Sequence, residues 1–245
     1  MNAAVFVDDE IWRQTRVAPD GTHHLLDDEP LYDRRFDRVL KYHAPGLAPV
    51  TDHEGAYHVD IEGGAAYSER YQRTFGFYEG RAAVDAGDEW FHILSDGSRL
   101  YEATYDWCGN YQNGRCTVRR RDGRYLHLSP EGRSVYDGTW AYAGDYRNGI
   151  AAVQRDDGLH THIDREGQTI HDRWFDDLDI FHKGFARAKD VDGWHHIDRS
   201  GQPLYGRRFA DVEPFYNGQA RVKRFGGGLE VIGEDGETIW ELRAE

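Results

Sequence analysis

The stretch from Phe181 to Tyr205, FHKGFARAKDVDGWHHIDRSGQPLY, carries three kinds of anchor in succession. An aromatic residue, Phe181, stands three positions ahead of Gly184, and small side chains follow at alternate positions, Ala186 and Ala188. Alternate residues of a β-strand project to one face, so this spacing marks a short strand with a buried face. Asp192-Gly193 is a hairpin signal, because both residue types tolerate positive φ, and Trp194 to Asp198 reads as the returning strand. Gly201 then lies four residues before Tyr205.

The same three anchors recur along the chain, and a fixed period outranks any local reading. The aromatic–glycine–small series appears as Phe77..Gly80-Arg-Ala82-Ala-Val84, Tyr111..Gly114-Arg-Cys116-Thr-Val118, Tyr146..Gly149-Ile-Ala151-Ala-Val153 and Phe215..Gly218-Gln-Ala220-Arg-Val222. A weaker copy is His43..Gly46-Leu-Ala48-Pro-Val50. Successive glycines from Gly46 to Gly218 are 34, 34, 35, 35 and 34 residues apart. A second series places histidine before a branched or aliphatic residue, at His24, His58, His92, His127, His162 and His196. The third pairs Gly63 with Tyr67, Gly97 with Tyr101, Gly132 with Tyr136, Gly167 with His171, Gly201 with Tyr205 and Gly236 with Trp240.

Each unit of about 35 residues thus predicts a small antiparallel β-meander: the Ala-x-Val strand, a hairpin, a second strand, and an irregular third strand leading to the next unit. One meander cannot bury its own rings, whereas stacked neighbours can, which is why such units come in arrays. The expected fold is all-β, with six tandem repeats in one continuous domain over residues 32–245 and a divergent or incomplete first repeat over 1–31. No segment has helical periodicity and no linker is evident.

Composition agrees with a ring-packed β core. Only 39% of the 245 residues are hydrophobic and mean hydropathy is -0.81, yet there are 15 Tyr, 11 Phe and 7 Trp. Aromatic rings suit a pleated, half-buried surface. Forty-four acidic against 30 basic residues give a net charge of -14, which repels a phosphate backbone and argues against nucleic acid as partner. Two cysteines make no disulfide framework, the start MNAAVFVDDEIW lacks the pattern of a secretory leader, and no apolar run is long enough for a membrane helix. The expectation is a soluble cytoplasmic protein.

The run Gly193-Trp194-His195-His196-Ile197-Asp198-Arg199-Ser200-Gly201, with Phe181..Gly184-Phe-Ala186 ahead of it, resembles the WG repeat of bacterial proteins. Trp194 matches the family tryptophan and Ile197-Asp198 the family Ile-Asp, while His195 stands where that family has glycine. The resemblance covers residues 32–245 and, loosely, 11–31. It implies antiparallel β structure with variable copy number, which favours an open or spiral array; a closed seven-unit β-propeller is the alternative. It implies no particular activity.

Histidines are the first candidates for chemistry. Six of the 13 share one repeat position and, on a common groove, could bind a metal or relay protons. That position is commonly aromatic in the family, so the resemblance favours imidazole as a substitute for a packed ring, and no metal or other cofactor is expected. A second constellation gathers Asp176, Asp177, Asp179, His182, Lys183, Arg187, His195, His196, Glu213 and Tyr216 in units five and six. Within it His182, His195, Asp176 and Glu213 are the candidate acids and bases, and Arg187, Trp194, His196 and Tyr216 the candidate ligand-binding residues. Charged residues between aromatic anchors also describe a solvated strand face. Arg35, Arg70 and Arg208 share a repeat position and could grip a carboxylate, or serve internal ion pairs.

Two functions follow from this inventory. A repeat array without a standard catalytic motif suits a binding or scaffolding module for a protein, peptide or glycan, with acidic charge favouring a basic partner. The alternative is an enzyme or accessory subunit acting on a small-molecule metabolite through the constellation of units five and six. Exposed array ends are also compatible with an oligomer.

Overall fold

The computed structural model describes residues 10–244. Residues 1–9 of the region read as a divergent first repeat, including most of the segment on which the absence of a leader was read, lie outside that range. Apart from one 3-10 turn at Ile11–Gln14, every regular element among the described residues is a strand.

Seven small antiparallel sheets follow one another along the chain. The first is built from Arg16–Val17, His24–Leu26 and Glu29–Pro30. The next five each comprise a two-residue short strand, a central strand and its hairpin partner. These are Arg38–Val39, Ala48–Asp52 and Gly55–Val59; Arg73–Thr74, Ala82–Asp85 and Trp90–Ile93; Trp107–Cys108, Cys116–Arg119 and Tyr125–Leu128; Tyr142–Ala143, Ala151–Gln154 and His160–Ile163; and Asp177–Leu178, Ala186–Asp190 and Gly193–Ile197. The seventh, Asp211–Val212, Gln219–Lys223 and Leu229–Gly233, adds a fourth strand, Thr238–Arg243. The chain forms two compact units: one runs to Gly123 and includes Leu128–Ser134, and the other comprises Arg124–His127 and the chain from Val135 onward.

From Gly80 onward the repeat glycine preceding the central strand closes a two-residue turn, whereas Gly46 ends a three-residue one between His43 and Leu47. Between His182 and Phe185 the backbone N–H of each residue donates to the carbonyl of the other, at 2.7 and 3.2 Å, while Lys183 and Gly184 have φ of 51° and 97°. Two consecutive positive φ values define the tight turn whose twist matches that of strands, and they explain the glycine. Asn113, Asn148 and Asn217 take the first position in three other copies because asparagine tolerates this region.

The segment expected as a third strand of its own unit is shared between two sheets. Trp194 and Phe209 exchange backbone hydrogen bonds of 2.9 and 3.0 Å, fastening the segment to the sheet behind, and Asp211–Val212 then pairs with the central strand of the sheet ahead. Side chains of the central strands are buried on the ring-packed side: Ala186 and Ala188 lie with Phe175, Leu178, Phe181 and Ile197, and Ala220 and Val222 with Tyr205, Phe209, Phe215 and Ile232. Small residues recur here because the rings of the adjoining segment fill the remaining space.

The third glycine series makes a close contact. A Cβ on Gly132 would fall 2.1 Å from the ring of Tyr101, and one on Gly236 would fall 2.5 Å from the ring of Tyr205. Each turn glycine of the series therefore abuts the anchor ring of the repeat before it, a tyrosine except at Gly201, which meets His171, so the motif couples successive repeats through a ring on bare backbone.

Candidate functional site

The repeat histidines form a ladder of buried, doubly bonded imidazoles. His58 Nδ1 lies 2.5 Å from Tyr67 Oη and its Nε2 lies 2.8 Å from the Phe75 carbonyl; for His92 the partners are Tyr101 at 2.6 Å and Gly109 O at 2.9 Å. His196 repeats the arrangement with Tyr205 at 2.5 Å and Glu213 O at 2.8 Å, and His24 meets Tyr32 and Leu40 O. A carbonyl only accepts, so Nε2 carries the hydrogen and the bare Nδ1 accepts from the phenol. At His162 the tyrosine is replaced by His171, whose Nε2–H donates to His162 Nδ1 at 3.0 Å while its own Nδ1 accepts from the Arg173 amide. The polarity of the chain of donors is preserved.

An aromatic ring of the following repeat covers each imidazole, as Phe77 covers His58 at 4.6 Å and Phe215 covers His196 at 4.0 Å between centroids. Burial disfavours the imidazolium and pushes His58, His92, His162 and His196 down to about 4. These groups are neutral cross-links between one sheet and the short strand of the next, so His196 is engaged by its own fold on both nitrogens.

Neighbouring residues of a strand face opposite ways, which separates His195 from His196. His195 is fully buried and neither ring nitrogen has a hydrogen-bond partner. Its Nδ1 is 3.8 Å from Asp190 Oδ2, and the Asp190 carboxylate is gripped by Arg208 at 2.7–3.1 Å. Burial and the Arg208 guanidinium hold the His195 imidazole below its ordinary value, whereas Asp190 opposes them.

Arg187 and Trp194 do come together. The guanidinium lies 5.4 Å from the Trp194 ring, its Nε donates to Asp179 at 2.5 Å, and Nη1 donates to Val212 O at 2.8 Å. Glu213 is paired with Arg221. At the turns, Lys183 sits 4.6 Å over the ring of Tyr216, which is 69% exposed, and His182 is exposed on the same turn as Lys183. Asp176 is exposed and contributes its amide to the Lys189 carbonyl. The eight residues are thus distributed over a buried ladder position, a separate buried pocket with Asp190, an ion-paired strand face and an exposed turn. They do not line one cavity.

The arginines sharing a repeat position serve the fold. Arg35 donates to the carbonyls of Tyr32, Asp33 and Arg34, Arg70 does the same at Tyr67, Ser68 and Glu69, and Arg208 holds Asp190. Cys108 and Cys116 are buried, and burial pushes the Cys108 thiol up to about 12. Among the described residues no group of three His, Cys, Asp or Glu side chains is placed to hold a metal ion, and no helix is long and apolar enough to cross a membrane.

A groove that the sequence reading passed over lies in the first compact unit. It occupies about 100 Å³ and is lined by Arg38, Leu40, Pro49, Thr51, Arg73, Thr74 and Phe75. The available signal was the recurrence of Arg-x-Leu at 38–40 and Arg-x-Phe at 73–75, one repeat apart. Without the strand pairing, nothing in that pattern tells which residues face each other.

No protein-family model and no curated protein sequence matches this chain. Among solved structures it is similar to BamB from Moraxella catarrhalis, at 12% identity and a TM-score of 0.46 over 98% of this chain and 89% of that one. It is similar to Hsv2 of Kluyvelomyces marxianus at 8% identity and a TM-score of 0.44, over 81% and 72% of the two chains. The computationally designed Ika4 protein aligns at 16% identity and a TM-score of 0.34, over 50% of this chain and 87% of its own.

Proposed function

We propose that this chain is a WG-type repeat module of the cytoplasm that binds or scaffolds a protein or peptide partner. The observation that carries the reading is the engagement of the repeat histidines: each of those hydrogen-bonded through both nitrogens is a neutral brace between sheets. The residues with the clearest chemical potential in the sequence are consumed by architecture. The remaining candidates are dispersed, and Arg187 and Glu213 are neutralised by partners in the same unit. What the repeats offer outward is their turns, such as the exposed His182 and Lys183 beside Tyr216, and repeated surface features are what repeat proteins use for recognition. A net charge of -14 favours encounter with a basic partner. Two buried cysteines, too few for a disulfide framework, suit a reducing compartment.

The test is capture of a partner on the immobilised full chain, followed by reconstitution of that partner, purified, with the chain. The expected result is a stoichiometric complex by sedimentation, undiminished by His182→Ala. Turnover of a small metabolite that is abolished by His182→Ala and Glu213→Gln in folded protein would overturn the reading in favour of an enzyme.

A further inference from the structure

The gap between the short strand of one repeat and that of the next is treated differently in the sixth and the second repeats. In the second unit, Arg187 on the central strand Ala186–Asp190 reaches across to the next short strand, donating to Val212 O at 2.8 Å and to Asp179 at 2.5 Å. Its guanidinium also rests against Trp194. The groove between the two short strands is filled by this side chain. Register identifies the corresponding residue in the second repeat: Arg187 pairs with His196, and Pro49 pairs with His58. Proline has no comparable reach, and where Arg187 lies in the sixth repeat the second repeat has an open groove bounded by Pro49 and Thr74.

The walls of the open groove differ in charge as well. Asp177 and Asp179 on the filled groove correspond to Arg38 and Leu40 on the open one. Arg38 is exposed, and among the described residues its side chain makes no ion pair or hydrogen bond. Arg73, one repeat on, is held in place: Nε and Nη2 contact Asp85 Oδ2 at 2.8 and 2.7 Å, and the guanidinium lies 5.0 Å from the Trp90 ring. Trp90 stacks on Phe75 at 5.4 Å and 28°, which fixes the apolar floor of Leu40, Pro49 and Phe75. Nη1 of Arg73 takes no part in the Asp85 pair. The groove therefore joins an apolar floor with room for one aliphatic side chain to two arginines of its lining, Arg38 without an ion pair and Arg73 shared with Asp85, in a protein whose overall charge is negative.

We infer that this groove receives the C-terminal residue of a peptide, with an aliphatic side chain against Leu40, Pro49 and Phe75 and the terminal carboxylate between Arg38 and Arg73. Carboxylate is the group that a pair of guanidiniums recognises with directional hydrogen bonds. That the ligand is a peptide rests on the binding-module reading above; the charge and shape of the groove do not.

The probe is acetyl-glycyl-leucine, titrated into the full chain and followed by amide chemical shifts. Saturable shifts are expected at Leu40, Thr51 and Thr74, with affinity at least about tenfold weaker for the uncharged C-terminal amide and for Arg38→Gln. Pro49→Arg should install the plug that Arg187 provides elsewhere and abolish the shifts; its thermal midpoint establishes that it is folded. Equal binding of acid and amide, shifts confined to other sites, or binding undiminished in both variants would overturn the inference. Isovalerate binding as tightly as the dipeptide would overturn the peptide assignment. Failure of the dipeptide alongside a successful partner reconstitution removes this site and leaves the binding module intact, whereas dipeptide binding without any protein partner does the reverse.

Discussion

At the scale of single residues, histidine in this protein acts as a polar ring. It fills the space of an aromatic side chain against Phe77 or Phe215 and also satisfies a tyrosine hydroxyl and a strand carbonyl that would otherwise be buried without partners. Its use has a consequence for pH. His58, His92, His162 and His196 are pushed from 6.5 to about 4 by burial, so the unfolded chain binds more protons than the folded one between those values. The stabilisation is fully present above pH 6.5, declines as pH falls toward 4, and levels off below. Each site accounts for up to roughly 3 kcal/mol. Urea unfolding at a series of pH values should therefore show stability dropping steeply through pH 6 and 5, ahead of the carboxylate range; a flat profile there would mean the imidazoles are not buried neutral. The sequence made the six-fold recurrence plain and suggested a packed ring. It could not reveal the partner of Nε2, because the carbonyl that accepts from it lies 16 or 17 residues on, in or beside the following short strand.

At the scale of the element, the two glycine series look alike in the sequence and do different work. Gly184 has open space where a Cβ would stand and is required by its φ of 97°; Gly132 has a φ of 75° and in addition would drive a Cβ into Tyr101. Gly184→Val should cost about 1–3 kcal/mol through backbone strain alone. Gly132→Ala, a smaller change, should cost at least as much, because strain is joined by overlap with a packed ring. Parallel denaturant titrations of the two variants against the parent decide the matter, and a Gly132→Ala protein as stable as the parent would remove the ring contact as a coupling element. The short strand was the element least visible in advance. Two residues such as Asp211–Val212 have no periodicity to read, and they became a strand only through pairing with Gln219–Lys223.

At the scale of the whole molecule, charge sets behaviour in salt. A net charge of -14 repels itself, and most ion pairs are on the surface, where each contributes little. Screening should relieve the repulsion more than it weakens the pairs. Raising ionic strength from about 0.02 to about 0.5 M at neutral pH should lift the thermal midpoint by a few degrees, a range in which screening lengths fall well below molecular dimensions. A lowered midpoint would mean that pairs such as Arg208–Asp190 outweigh the net repulsion.

The sequence by itself determined the all-β class, the period, the turn glycines and the ring-rich core, because each is encoded by spacing within one unit and repeated until it is unmistakable. It also marked Asp179 and Arg187, in the charged constellation of units five and six, as a departure from the template. Only the tertiary structure decided what that departure does. Pairing sets Arg187 against its next short strand at the register that Pro49 holds beside an open groove in its own repeat, and it turns neighbours in sequence, His195 and His196, to opposite faces of one strand. Side chains meet through register and stacking between repeats, and a linear order of residues carries neither distance nor direction across that gap.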